Sequence, residues 1–171
     1  MKGAKSLLAV GIVTAGLLIS FGYVSIKNDV TSIMNSGSNK KVVEKKQDFD
    51  IEITGIKTTE VNGTASGEEP TYTKTSATFE SNLIQKGDSI VYTVTIKNNG
   101  TVNANLSDVN ITPQEDGSEA IYYVVDSPAE VLEAGATTEM KVVASYDDQY
   151  VGYTSSNSKT ATATVLYAQA N

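Results

Sequence analysis

The sequence predicts an all-β chain: an antiparallel β-sandwich of about seven strands, preceded by one N-terminal apolar helix. Three observations carry this reading. From Phe49 onward apolar and polar residues alternate with a period of two, and Thr, Val, Ile and Tyr dominate. Turn residues, Asn-Gly and Gly-Asp pairs among them, punctuate that stretch, with no helical period between them. Ahead of it, an uncharged run over residues 6–26 is apolar all round rather than on one stripe.

The N-terminal run has Lys2 and Lys5 before it. Its core is Leu7, Leu8, Val10, Ile12 and Val13, followed by Leu17, Leu18, Ile19 and Phe21. About 20 residues of helix reach roughly 30 Å, the thickness of a bilayer's hydrocarbon core. The lysines before it and the acidic chain after it place the N-terminus inside the cell and the rest outside. The chain is therefore expected to be a single-pass protein of the cell membrane with an extracytoplasmic domain. Two readings of the run stay open. An uncleaved anchor is favoured, because the apolar stretch continues to Ile26. A cleaved signal peptide needs small residues before the cut, and Ser20 and Gly22 permit one before Tyr23, which would secrete the domain.

Past Lys27, Tyr23, Ile26, Val30 and Ile33 keep a helical spacing, so the first segment is assigned residues 1–34. Residues 35–47 open on Asn35-Ser36-Gly37-Ser38-Asn39 and continue with a Lys-rich stretch, the composition of a flexible basic tether. Residues 48–171 make the sandwich. Its first strand holds Phe49, Ile51 and Ile53, and a Gly-rich loop follows from Asn62 to Pro70. The next strand holds Tyr72, Ala77, Phe79 and Leu83. The clearest strand alternates Ile90, Tyr92, Val94 and Ile96 with Val91, Thr93, Thr95 and Lys97. Weaker strands are expected over 106–111 and 120–125. Met140, Val142, Ala144 and Tyr146 mark the sixth, and Ala161, Ala163, Val165 and Tyr167 the last.

Composition narrows the chemistry. The chain has no Cys, His or Trp, and all 13 basic residues are Lys. A disulfide framework and a thiolate metal site are excluded, and with them the commonest general base and metal ligand. From Asp48 onward there are 18 acids against 6 lysines, a net of −12. Such a body has no basic footprint for nucleic acid.

The stretch Gly87-Asp88, then Tyr92-x-Val94-x-Ile96, then Asn98-Asn99-Gly100-Thr101 resembles a recurrent surface module of bacteria and archaea. Leu132-Glu133-Ala134-Gly135-Ala136 resembles the same module's turn before its penultimate long strand. This is the immunoglobulin-like "conserved repeat" family of cell-surface proteins, close to the CARDB-type adhesion domains, and the likeness covers residues 51–167. The resemblance implies an immunoglobulin-like sandwich acting as a stalk, spacer or adhesive unit. The residues themselves read as scaffold: Gly87-Asp88 turns the chain into the strand, and Asn99-Gly100 supplies positive φ where it reverses.

No nucleophile with a positioned base is visible, so no catalytic residue, cofactor site or metal site is assigned. Ser156-Asn157-Ser158-Lys159 has the Ser-x-x-Lys spacing but leads into a strand, and its partner motifs are absent. Glu115-Asp116-Gly117, Asp126 and Asp147-Asp148 lack the regular spacing of a calcium loop and read as solvated acids. Lys57 offers an amine for an isopeptide link, but the last strand holds no matching Asn short of Asn171. Tyr150 and Tyr153, in a loop near Tyr146 and downstream of Tyr122 and Tyr123, are the candidate partner-contact residues, since Tyr pairs an apolar ring with a polar tip. The expected function is a non-enzymatic, membrane-tethered structural, adhesion or binding module. Its partners would be the membrane through the helix and a protein, a cell-surface polymer or another copy through the sandwich. The alternative is a subunit of an extracellular filament, similar to camelysin-type fibres or to archaeal flagellin and pilin layouts, assembled through the N-terminal segment or by strand exchange.

Overall fold

A computed structural model describes residues 47–152, 154 and 156–170 of the protein. The expected membrane segment of residues 1–34, the tether up to Lys46, and Tyr153 lie outside the described residues. The described chain is all-β. It contains β1 (Ile51–Asn62), β2 (Ser66–Gly67), β3 (Thr71–Tyr72), β4 (Ser76–Asn82), β5 (Ser89–Asn98), β6 (Ala104–Pro113), β7 (Ile121–Asp126), β8 (Val131–Leu132), β9 (Thr137–Tyr146) and β10 (Ser158–Gln169). Every pairing is antiparallel. One sheet has the order β1-β5-β9-β7. The other has the order β2-β4-β10-β6-β8, with β3 also on β4. The two sheets stack as a β-sandwich.

Seven of these strands are six residues or longer, and each corresponds to a strand legible in the sequence. The three two-residue strands were not legible as such: β2 lies in the expected Gly-rich loop, β3 holds Tyr72, which the sequence reading joined to the strand now seen as β4, and β8 lies just before the turn at Gly135. β1 runs on to Asn62, beyond its alternating start. Register shifts between Ile53 and Gly55 and between Thr58 and Glu60 break its alternation, as β-bulges do.

Successive long strands change sheets. β4 leaves β1 for the other sheet, and β5, β6 and β7 each cross back in turn. β7 and β9 share a sheet, but the chain between them visits the other as β8. The core lies between the inward faces. Ile90, Tyr92, Val94, Ile96, Met140, Val142 and Ile121 from one sheet face Ala77, Phe79, Ala161, Ala163 and Val165 from the other. Small alanines opposite large side chains let the layers interdigitate at interior density. The rings of Phe79 and Tyr92 meet at 4.7 Å between centroids, tilted by 39°.

Two buried polar side chains bracket β5. At its start, Asp88 is 2% exposed. Its Oδ1 accepts from the Thr64 N–H at 2.8 Å, and its Oδ2 accepts from the Thr64 hydroxyl at 2.8 Å and from the N–H groups of Ile84 at 2.9 Å and Gln85 at 3.2 Å. At its end, fully buried Asn98 donates through Nδ2 to the carbonyls of Val102 at 2.9 Å and Leu132 at 3.1 Å. Its Oδ1 accepts from the Gly100 N–H at 2.9 Å. Gly87 has φ of 87°, as its turn requires. The expected positive φ at Asn99-Gly100 is absent: neither residue adopts it. Gly100 is instead a close-approach glycine, where a Cβ would lie 2.3 Å from the Asp48 carbonyl oxygen and 2.9 Å from the Asp50 nitrogen.

Two pH arms follow. Burial pushes the Asp88 carboxyl up, but the donors of Thr64, Ile84 and Gln85 outweigh it and hold the group below its ordinary value of 3.8. A depressed carboxyl stabilises the fold above its unfolded pKa, so that contribution is lost as pH falls below about 4. Asp88→Ala should cost about 2–4 kcal/mol at neutral pH by stranding buried donors. Asp88→Asn should cost less and flatten the acid arm in urea unfolding. At the alkaline end, burial is the main cause that pushes the Tyr123 phenol up to about 12, and it raises the Tyr92 phenol as well. Stability from these neutral phenols is complete below the ordinary pKa of 10.0 and is lost as pH rises toward about 12. Tyr123→Phe should flatten that loss at a neutral-pH cost of about 1 kcal/mol, the hydrogen bond to the Lys159 carbonyl.

Candidate functional site

The long strands give the sandwich two poles, separated by the ten residues of β5, or roughly 30 Å at about 3.3 Å per residue. The near pole receives the chain. The Asp48 N–H donates to the Thr101 hydroxyl at 2.9 Å, and the Thr101 N–H returns a bond to the Asp48 carbonyl at 2.8 Å. Gln169 reaches Gln47 at 3.5 Å, and the Ala170 N–H donates to the Asn103 carbonyl at 2.9 Å. Gln47 and Ala170 therefore sit at the same end.

The far pole is built from the turns after β1, β4, β6 and β9. Its longest loop follows β9 and is tied down from its start to its end. The Asp147 N–H donates to the Ala120 carbonyl at 2.7 Å, the Lys86 ammonium donates to the Asp148 carbonyl, and the Leu83 N–H donates to the Asn157 carbonyl at 2.9 Å. Within it, the Asp147 carboxylate accepts from the Gln149 N–H at 2.8 Å and shapes the turn.

Tyr150 lies in this loop. It is half-buried, and its hydroxyl donates to Glu119 at 3.4 Å. Burial first, and then the neighbouring Glu119 carboxylate, raise its phenol above the ordinary value. Tyr153, the second contact residue expected from the sequence, lies outside the described residues. The structure divides the remaining tyrosines: Tyr123 is buried, Tyr146 packs against the core, and Tyr122 is exposed on the outer face of β7. Sequence reasoning missed the aliphatic part of the pole. Val151 is 96% exposed, and Ile84 and Val61 are each 53% exposed. The placement of Val151 beside Tyr150 in a polar loop was the one available signal.

The remaining sequence candidates disperse. Among the described residues no group of three or more carboxylates is placed to hold a metal ion. The Ser156 hydroxyl accepts from the Ser158 N–H at 3.1 Å, while the Lys159 ammonium donates to the Ser118 carbonyl at 3.0 Å. The Ser-x-x-Lys spacing therefore builds no nucleophile–base pair. Lys57 is exposed on β1.

A shallow, open groove lies along β6, lined by Asn105, Leu106, Asp108, Val109, Glu130 and Val131 among others. It continues the short β6–β8 pairing, which covers only Ala104 and Asn105 and is extended by the bond from the Leu106 N–H to the Glu130 carbonyl at 2.7 Å. Among the described residues, no helix is long and apolar enough to cross a membrane. No protein-family model matches the chain, and no curated protein or solved structure matches it.

Proposed function

We propose that this chain is a non-catalytic display module of the immunoglobulin-like type, held on the outer side of a cell membrane by residues 1–34. The apolar run behind Lys2 and Lys5 and the acidic body support the address. Seven long strands that change sheets as the chain proceeds support the finer fold assignment. One observation carries the mechanism: the chain enters at the near pole, and the Tyr150–Val151 loop lies at the other. Within the sandwich, the loop with the exposed aliphatic side chain is thus at the pole opposite the one that receives the tether.

A second reading, a filament subunit built by strand exchange, draws on the β6 edge. The Gln114 N–H donates to the Thr160 carbonyl at 2.8 Å, and the β6–β10 register is regular from Asp108 to Pro113. Antiparallel alternation then turns the main-chain groups of Val109 and Ile111 away from β10, where a foreign strand would find them.

Protease treatment of intact cells tests the address. Peptides from residues 48–171 should disappear, while an N-terminal peptide spanning Leu7 to Phe21, with Met1 intact, stays in the membrane fraction. A chain protected from protease and recovered from the cytosol overturns the proposal. Fibres in negative stain together with a mature N-terminus at Tyr23 favour the filament. Val151→Asp should reduce adhesion of cells displaying the chain while leaving unfolding within about 0.5 kcal/mol of wild type, since the side chain is on the surface.

A further inference from the structure

The sandwich has unequal edges. β4 is covered by β2 and β3. β1 carries two register shifts and charged Lys57 and Glu60, and the Ile53 N–H already donates to the Lys74 carbonyl at 2.8 Å. β6 has an irregularity at Ser107, ends in Pro113 and is partly covered by β8. These are the devices that keep edges from pairing with other chains. β7 has none of them. Its pairing with β9 is regular over all six residues, Ile-Tyr-Tyr-Val-Val-Asp. Among the described residues no strand pairs with its other side. It holds no proline, and its only charge is the terminal Asp126.

The direction of its free groups is fixed by the bond from the Asp147 N–H to the Ala120 carbonyl. With the register unbroken from Ile121↔Tyr146 to Asp126↔Lys141, the even residues bond to β9 and the odd ones face outward. The Ile121 N–H turns back to the Ser118 carbonyl at 3.3 Å. The Ile121 carbonyl and both main-chain groups of Tyr123 and Val125 point to the open edge.

That pattern is self-complementary. About a two-fold axis at Tyr123, each Tyr123 N–H meets the other's carbonyl, and each Val125 N–H meets the Ile121 carbonyl of the other copy. On the outer face Tyr122, 48% exposed, then lies across from Val124, 49% exposed, twice over. Aromatic and β-branched side chains are a favoured cross-strand pair. Asp126 falls opposite Ala120, so no like charges meet.

We infer that β7 is a homophilic contact through which two copies of this chain pair edge to edge, antiparallel, with Tyr123 opposite Tyr123. The two-fold axis reverses one sandwich relative to the other, so the near poles point in opposite directions. Taken with the display reading, on which this step rests, the partner stands on an apposed membrane. A six-residue edge buries little area and binds weakly alone, and many copies on two surfaces supply the avidity.

The test uses full-length chain reconstituted in dye-labelled phosphatidylcholine vesicles, with flotation and protease accessibility read first. Wild-type vesicles should cluster. Vesicles carrying only V124K or only Y122E should lose clustering, with pairing weakened roughly tenfold or more as both cross-strand pairs fail together. Mixing V124K vesicles with Y122E vesicles should restore clusters that contain both dyes, because the new lysine faces the new glutamate while the second Tyr–Val pair stays native. Both positions are on the surface, so circular dichroism should show the same sandwich. Dispersed wild-type vesicles, single variants that cluster like wild type, or a mixture that stays dispersed each overturn the pairing. Chain that fails to float with vesicles overturns the tether reading instead. In that case Y122C and V124C chains mixed in solution still decide the pairing. The protein has no other cysteine, and a disulfide heterodimer supports the register, whereas two unlinked species overturn it.

Discussion

A carboxylate with almost no solvent contact holds the start of the central strand, and a buried amide holds its end. The reason lies in the topology. In a hairpin, a turn joins two strands that bond to each other, and the ladder absorbs the turn's main-chain donors. Here the turns into and out of β5 carry the chain between sheets, so no shared ladder is available. The donors of Thr64, Ile84 and Gln85 would be stranded at the top of the core without Asp88. At the other end, Asn98 closes the turn after β5 and reaches across to the Leu132 carbonyl beside β8. Buried polar groups are costly when half satisfied and specify one arrangement when fully satisfied. The two poles are therefore set from β5 outward, and with them the position of every loop available for contact.

Much of this was legible because β5, β9 and β10 alternate over most of their length, with one face apolar. The turn at Gly87-Asp88 was legible because it combines a residue for positive φ with one whose side chain bonds nearby backbone. The Asn98-Asn99-Gly100 turn was located correctly and explained wrongly. Sequence shows that glycine is required but not whether by dihedral angle or by the nearness of Asp48 and Asp50, which lie some fifty residues earlier in the chain. The same limit hid β2, β3 and β8, since two residues carry no period. It also hid the extent of β1, whose bulges cancel the alternation that reveals strands.

The far pole was half visible. Tyr150 was legible as loop tyrosine, but its partial burial and its bond to Glu119 depend on where the β6–β7 turn falls. The contrast between β7 and the other edges was not visible at all. Which strands end a sheet depends on the order β1-β5-β9-β7, which no local pattern encodes. Tyr122 and Val124 look like ordinary members of an alternating strand until the missing neighbour turns them into a free rim.

Charge and edge chemistry then act at different ranges. The described domain belongs to a body with a net charge of −12 over residues 48–171, so copies repel one another as they approach. That repulsion is screened beyond about 8–10 Å at physiological ionic strength. Main-chain hydrogen bonds and the Tyr122–Val124 contact act only at the seam, where β7 is neutral up to Asp126. A single encounter must therefore overcome a diffuse penalty with a short, local gain, and the contact stays reversible. On the proposed display reading, many copies on one surface would face that penalty once per surface approach while each seam adds its own gain. Among the described edges, the bulges and charges of β1 and the irregularity and proline of β6 leave β7 as the one that is regular over its whole length and neutral up to Asp126.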